Sequence, residues 1–312
     1  MANLKKLPQP LPANAYKFAV YGLSRSRYVQ AIGVDDYGGQ PFQWQMDILN
    51  SDHKRKVING ARQSGKSTIV SSIPCHRARF YPKSLSIIVA STERQAQEDM
   101  EKINDYIARD EFYPKIVRNS DSLIELANRS RIVVVPGTEK SARGYSSPDI
   151  IILDECSRID DIVFQSGIMP MLTDNEKCEL LLISTPNGKS GFFHNACQSE
   201  TWERYEVRSP WDVSVDGWGL VEAIDEDKYR REREKRGITA YYSYRHRIFS
   251  EQMGNLDEMG RDMFKQEYCC EFVEPNEQVF SYDEIDAIFS RRIEPLSMSF
   301  GSAKPLDIAI NY

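Results

Sequence analysis

Gly60-Ala61-Arg62-Gln63-Ser64-Gly65-Lys66-Ser67-Thr68 sets two glycines, a lysine and a hydroxyl at the spacing G-x-x-x-x-G-K-[ST]. Glycine lets the backbone wrap closely around a phosphate, and the loop N–H groups with the helix N-terminus behind them supply partial positive charge. Lys66 then reaches the β- and γ-oxygens and Ser67 ligates Mg²⁺. Such a loop works only between a strand and a helix. Lys56-Val57-Ile58-Asn59 reads as the strand that enters it and Ser67-Thr68-Ile69-Val70-Ser71-Ser72-Ile73 as the start of the helix that leaves it. Gly60, Arg62, Gln63, Ser64, Gly65, Lys66, Ser67 and Thr68 are therefore candidate nucleotide-binding residues. The rival is a glycine turn that merely precedes Lys-Ser, and it weakens as further motifs accumulate.

A loop of this kind implies a parallel sheet, and the chain has the strands for one. Apolar runs at Leu85-Ser86-Ile87-Ile88-Val89-Ala90, Arg131-Ile132-Val133-Val134-Val135, Ile150-Ile151-Ile152-Leu153 and Leu180-Leu181-Leu182-Ile183 alternate with helical stretches such as residues 93–107. Continuous apolar strands are buried on both faces, so the expected fold is α/β: a mostly parallel sheet with helices on both sides. With 312 residues, 41% hydrophobic and 28% charged, the chain has material for such a core. Residues 1–40, rich in Pro, Gly and Tyr, read as an arm followed by irregular structure. Residues 41–212 read as the core, and 213–283 as a smaller helical subdomain rich in charge and tyrosine.

No apolar run approaches the roughly 20 residues that span a bilayer, and Met1 to Pro12 lacks the apolar stretch of a signal peptide, so a cytosolic protein without membrane partners is expected. The six cysteines show no C-x-x-C spacing, which favours reduced, buried thiols over a zinc site or disulfides. His53, His76, His194 and His246 read as surface or packing residues. A net charge of −6 argues against a surface coated with nucleic acid but leaves a local basic patch open.

Ile150-Ile151-Ile152-Leu153-Asp154-Glu155 has the form of a Walker B strand, with an acidic pair emerging where α/β sheets bind ligands. Asp154 would hold Mg²⁺, mostly through water, and Glu155 would orient or deprotonate the attacking water. As a rival, an Asp-Glu pair at a strand end is a plain helix cap. In Ile183-Ser184-Thr185-Pro186-Asn187-Gly188, Ser184 and Thr185 can sense a γ-phosphate and pass its loss, with Asn187, to the turn; a simple strand-to-helix turn is the alternative. Before the first strand, Gln45 can read an adenine edge while Trp44 packs on the base, or both can belong to an amphipathic helix start. Arg143 in its loop and Arg62 in the glycine loop both suit stabilisation of charge on a transferring phosphoryl group, and sequence leaves the role unassigned between them.

This ordered set resembles the ATPase part of the large terminase subunits of tailed bacteriophages. Ala61-Arg62-Gln63-Ser64-Gly65-Lys66-Ser67 is similar to that family's arginine-bearing Walker A, Leu153-Asp154-Glu155 to its Walker B, Ser184-Thr185-Pro186-Asn187-Gly188 to its coupling motif, and residues 264–272 to the close of its ATPase region. The likeness covers about residues 41–283. It implies an ASCE-type P-loop core with a lid, and ATP hydrolysis with Mg²⁺ coupled to translocation of double-stranded DNA into a procapsid in the host cell cytoplasm. It also implies a homo-oligomeric ring on a portal protein, a small terminase subunit as partner, and a trans role for Arg143. The family usually carries a nuclease domain as well. This chain ends at Tyr312, about where that domain would begin, so residues 284–312 read as a linker, no nuclease activity is expected, and the chain reads as truncated or as the product of a split gene.

Two other functions share parts of the pattern. A helicase-like, nucleic-acid-stimulated ATPase would use the same glutamine, Walker and Ser/Thr motifs, but no second core bearing further arginine motifs follows. A nucleotide-gated assembly protein with little turnover would not need both Lys66 and Glu155. Residues 228–236 and 241–247 combine Lys and Arg with tyrosine and suit phosphate contact, although Glu232 and Glu234 fit a solvated, ion-paired helix equally well.

Overall fold

The computed structural model describes residues 20–33, 41, 43–62, 64–138, 144–173, 175–207, 215–216, 220–221 and 259–274. Apart from Glu274 these belong to the first of two compact units, residues 1–273. The strands are β1 (Arg55–Gly60), β2 (Leu85–Ala90), β3 (Ile116–Ser120), β4 (Leu123–Leu126), β5 (Arg131–Pro136), β6 (Ile150–Asp154), β7 (Glu179–Ser184) and β8 (Glu203–Val207), in the spatial order β3-β4-β5-β2-β6-β7-β1-β8. From β5 to β8 every neighbour is parallel, while β3, β4 and β5 form an antiparallel meander at one edge.

The apolar runs become the central strands because each buries both faces. In β6, Ile150 and Ile152 face one helical layer and Ile151 and Leu153 the other, all 1% exposed or less. The first layer comprises α1 (Arg25–Ile32), α2 (Gln43–Asn50), α3 (Lys66–Phe80) and α4 (Glu93–Ala108). The second includes α5 (Asp161–Val163), α6 (Met169–Thr173) and α7 (Gly191–Gln198). The expected α/β architecture is thus present, with all five apolar runs in the sheet.

Three strands lie beyond those runs. β3, β4 and β8 carry Arg118, Asn119, Glu125, Glu203, Arg204 and Glu206 among their apolar positions. β3 and β8 are the two edges of the sheet and tolerate this because one side of the ladder faces solvent, and β4 lies next to the β3 edge. The expected irregular arm also needs correction, since residues 25–32 form α1. The Ser24 hydroxyl caps it by accepting from the Arg27 N–H, and Gly33 ends it at φ 63°. Tyr28 and Val29 then enter the core at 1% and 0% exposure.

Past residue 212, Val215–Asp216 and Leu220–Val221 pair antiparallel, and α8 (Arg261–Cys269) is helical. The basic, aromatic segments 228–236 and 241–247 and His246 lie outside the described residues. All six cysteines are buried and none forms a disulfide. Among the described residues no helix is long and apolar enough to cross a membrane.

Candidate active site

Strand register assembles the site. β1, β6 and β7 run parallel, with β7 in the middle, so Gly60, Asp154 and Ser184 all stand at C-terminal strand ends on one edge of the sheet. Asn59 pairs in register with Ser184, and Asp154 with Ile183. Residues 125 positions apart in sequence, Asn59 and Ser184, therefore become neighbours through backbone hydrogen bonding alone.

The loop after β1 turns into α3 at Gly65, whose φ of 83° is a left-handed conformation that a side chain would strain. The Lys66 ammonium folds back and donates to the carbonyls of Gly60 and Ala61, both at 2.7 Å. Burial pulls the Lys66 pKa down, against the opposing pull of Glu155 and Asp154. Gly60 makes room for this lysine: a Cβ there would stand 2.5 Å from Lys66 Cδ. Ser64 is buried with its hydroxyl making no hydrogen bond. Gln45 on α2 reaches the same loop, its amide donating to the Gly65 carbonyl at 3.2 Å, while Trp44 packs against the core.

Arg62 is held by α8. Its Nε donates to Glu267 Oε2 at 2.5 Å and its backbone N–H to the Glu267 carbonyl at 2.8 Å. Glu267 is 2% exposed and also faces Arg158, 3.6 Å away. The same segment is fixed by Asn59 Nδ2, which donates to the Cys270 carbonyl at 2.8 Å.

Asp154 is 3% exposed. Burial, then the Asp99 and Glu155 carboxylates, push its pKa up to about 7, while Lys102 and the Ser67 hydroxyl beside it pull down. Its Oδ1 accepts from the Glu155 N–H at 3.0 Å, and its Oδ2 is buried with no hydrogen-bond partner. A partnerless buried carboxylate oxygen next to a serine hydroxyl is a donor set suited to a hard divalent cation. Among the described residues no group of three or more His, Cys, Asp or Glu forms a metal centre, so Ser67 and Asp154 would share such an ion with phosphate oxygens and water.

Glu155 adopts a left-handed backbone, φ 50° and ψ 42°, which costs a non-glycine residue about 1 kcal/mol or more. The turn sends its side chain toward β7, where Ser184 Oγ donates to Glu155 Oε2 at 3.4 Å. Ser184 Oγ also accepts from the Ser157 N–H at 3.2 Å and lies 2.7 Å from the Ser157 hydroxyl. Asn187 Nδ2 donates to the Ser157 carbonyl at 3.3 Å, and Thr185 is buried beside Ser184.

Lys66, Ser67, Asp154, Glu155, Ser184 and the Gln45 amide are thus gathered at one edge. Thr68 lies in the first turn of α3, where its carbonyl accepts from the Tyr106 hydroxyl at 2.8 Å. Gln63 and Arg143 lie outside the described residues. Sequence reasoning did not single out Glu267, Arg158, Ser157, Asn59 or Asp99. Only Asp99 left a local signal, as a charge within the apolar stripe of α4.

A family model described as the N-terminal region of the T4likevirus-type terminase large subunit matches residues 57–287. The large terminase subunits of Thermus phage G20c and Thermus virus P23-45 are each 30% identical over 175 residues, covering 50% of this chain and 36% of the relative. The match thus spans about a third of the length of these curated relatives. The large terminase ATPase domain of Thermus phage P74-26 is similar in fold, with a TM-score of 0.57 at 22% identity over 76% of this chain and 96% of that one.

Proposed function

The chain belongs to the T4likevirus-type terminase large-subunit family, and from that premise we propose that it is the ATP-hydrolysing part of a motor that moves double-stranded viral DNA into a procapsid. The reading is supported chiefly by one observation: strand register gathers Lys66, Asp154, Glu155 and Ser184 at the ends of β1, β6 and β7.

In this reading the glycine loop wraps the phosphates, and Lys66 exchanges the carbonyls of Gly60 and Ala61 for β- and γ-phosphate oxygens. The lysine is already buried, so the exchange adds little desolvation. Ser67 and Asp154 would hold Mg²⁺, which when bound neutralises charge on the β- and γ-phosphates. Glu155 takes the proton of, or orients, the attacking water, with its carboxylate aimed by the Ser184 hydroxyl. Loss of the γ-phosphate is felt by Ser184 and passed through Ser157 and Asn187 to the following turn. Gln45, whose amide donates to the Gly65 carbonyl, would read an adenine edge, and Arg62 and Arg143 are the candidates for stabilising charge on the transferring group. The remaining loop positions, Gln63, Ser64 and Thr68, line the phosphates. Assembly as a ring on a portal protein, with a small terminase subunit, in the host cytoplasm, completes the proposal.

The test is ATP turnover per subunit over a range of protein concentrations with double-stranded DNA present and Glu155→Gln as the blank. Turnover that rises with concentration and vanishes in Glu155→Gln supports a ring motor with a shared arginine. An active Glu155→Gln variant would remove the catalytic assignment, and a flat, Glu155-dependent rate would remove the trans arginine.

A further inference from the structure

Helix α4 carries a carboxylate where its packing face needs an apolar side chain. Ala96, Met100, Ile103, Tyr106 and Ile107 form the buried stripe, spaced three and four residues apart, and Asp99 lies within it at 1% exposure. Asp99 Oδ1 accepts from Lys102 Nζ at 3.2 Å and Gln95 Nε2 at 3.4 Å, whereas Oδ2 is buried with no partner. Asp154 Oδ2 is in the same condition. Both residues line one small void under the first turns of α3, together with Ser67, Ser71 and the side chains of Val70, Ile88, Ile152 and Ile183.

Two carboxylates facing one small buried void repel each other, and a buried charge persists only where a cation compensates it. Lys102 compensates Asp99 only in part, because its side chain is 31% exposed and it reaches the outer oxygen. We propose that Asp99 is a positioning residue for the divalent cation of the nucleotide site, acting through Asp154 and the Ser67 hydroxyl from beneath. Its negative charge makes a cation at Asp154 more favourable, and Lys102 moderates that effect. The inference rests on the reading of Ser67 and Asp154 as the Mg²⁺ site. The Tyr106 hydroxyl donates to the Thr68 carbonyl and ties α4 to the turn of α3 that carries Ser67.

The experiment titrates free Mg²⁺ against binding of a fluorescent, non-hydrolysable ATP analogue, with Mn²⁺ binding followed by electron paramagnetic resonance. Asp99→Asn is expected to raise the Mg²⁺ concentration for half-maximal effect about tenfold, the lower end of the range for residues that support a metal ligand. Its affinity for the analogue without metal should stay unchanged. Lys102→Met, at a partly exposed position, should move the midpoint the opposite way. A merely structural Asp99 would weaken analogue binding equally with and without Mg²⁺, and that result overturns the proposal. So does a Lys102→Met midpoint that stays in place or rises, which keeps the test decisive even if Asp99→Asn fails to fold. Asp154→Asn separates the two readings: if it keeps the wild-type Mg²⁺ dependence, the metal site itself is misassigned and the inference falls with it.

Discussion

Gly60 leaves little space beside the Lys66 side chain. A Cβ would meet Lys66 Cδ at 2.5 Å and Cγ at 3.1 Å, so Gly60→Ala must push the lysine stem out of its place. Overpacking of this kind costs about 1–3 kcal/mol. If the strain falls on the bound arrangement of Lys66, nucleotide affinity drops by about 10- to 100-fold. Equilibrium titration with a labelled nucleotide checks it; wild-type affinity in Gly60→Ala would mean that the nucleotide-bound arrangement of Lys66 does not carry the strain. Ser184 is the second residue with a sharp expectation. Its hydroxyl serves Glu155 and Ser157 together, so Ser184→Ala removes about 1 kcal/mol of hydrogen bonding from the group that aims the carboxylate. The expected result is a fivefold to tenfold fall in turnover with nucleotide affinity unchanged. Equal losses in both would make Ser184 a binding residue instead.

At the scale of elements, β1 and α8 are joined by a short set of buried bonds across more than 200 residues of chain. Asn59 Nδ2 donates to the Cys270 carbonyl, and the Ala61 N–H and Cys270 Sγ both donate to the Val207 carbonyl. Asn59→Leu removes a buried donor to the Cys270 carbonyl, an expected loss of about 1–3 kcal/mol. Amide exchange should quicken around residues 267–270 while β2 and β6 keep their protection, and uniform quickening would show that α8 is no separate unit. These ties explain what a sequence can and cannot reveal. Ile150 to Leu153 or Leu180 to Ile183 announce buried strands because every residue is apolar, and the acidic pair or serine that follows must then sit at a strand end. β8 carries Glu203, Arg204 and Glu206, so its place beside β1 depends on a ladder that composition does not encode. Glu267 meets Arg62 only through tertiary packing, 205 positions away, and the polar run around it reads locally as surface helix. Asp99 is the intermediate case, visible as a charge in an apolar stripe but without meaning until Asp154 is known to face it.

For the whole molecule, two buried carboxylates at opposite ends of the sheet should give stability opposite dependences on pH. Glu179, at the start of β7, is buried against Lys56 and Arg25, with Nζ and NH2 at 2.7 and 2.6 Å. Burial alone would raise its pKa, but Arg25 and then Lys56 outweigh it and hold the carboxyl at about 2. The folded state therefore releases this proton more readily than the unfolded chain. The resulting stability is present above the ordinary value of 4.5 and is lost as pH falls through about 2. Asp154 is the reverse: raised from 3.8 to about 7, it binds its proton more tightly when folded, so stability declines as pH rises through that interval. A divalent cation at Asp154 stabilises the ionised form and should flatten this decline. Thermal midpoints measured from pH 2 to 8, with and without millimolar Mg²⁺ and without nucleotide, are expected to separate only toward the upper end of the 3.8–7 interval and above it. Asp154→Asn should abolish that separation and leave the acid limb intact. Glu179→Gln should instead lower the midpoint on the order of 10 °C near neutrality, because it leaves the fully buried Lys56 without its counter-charge at about 3–5 kcal/mol. Mg²⁺-independent curves for the wild type would show that Asp154 and Ser67 do not hold the cation unless nucleotide phosphates complete its coordination.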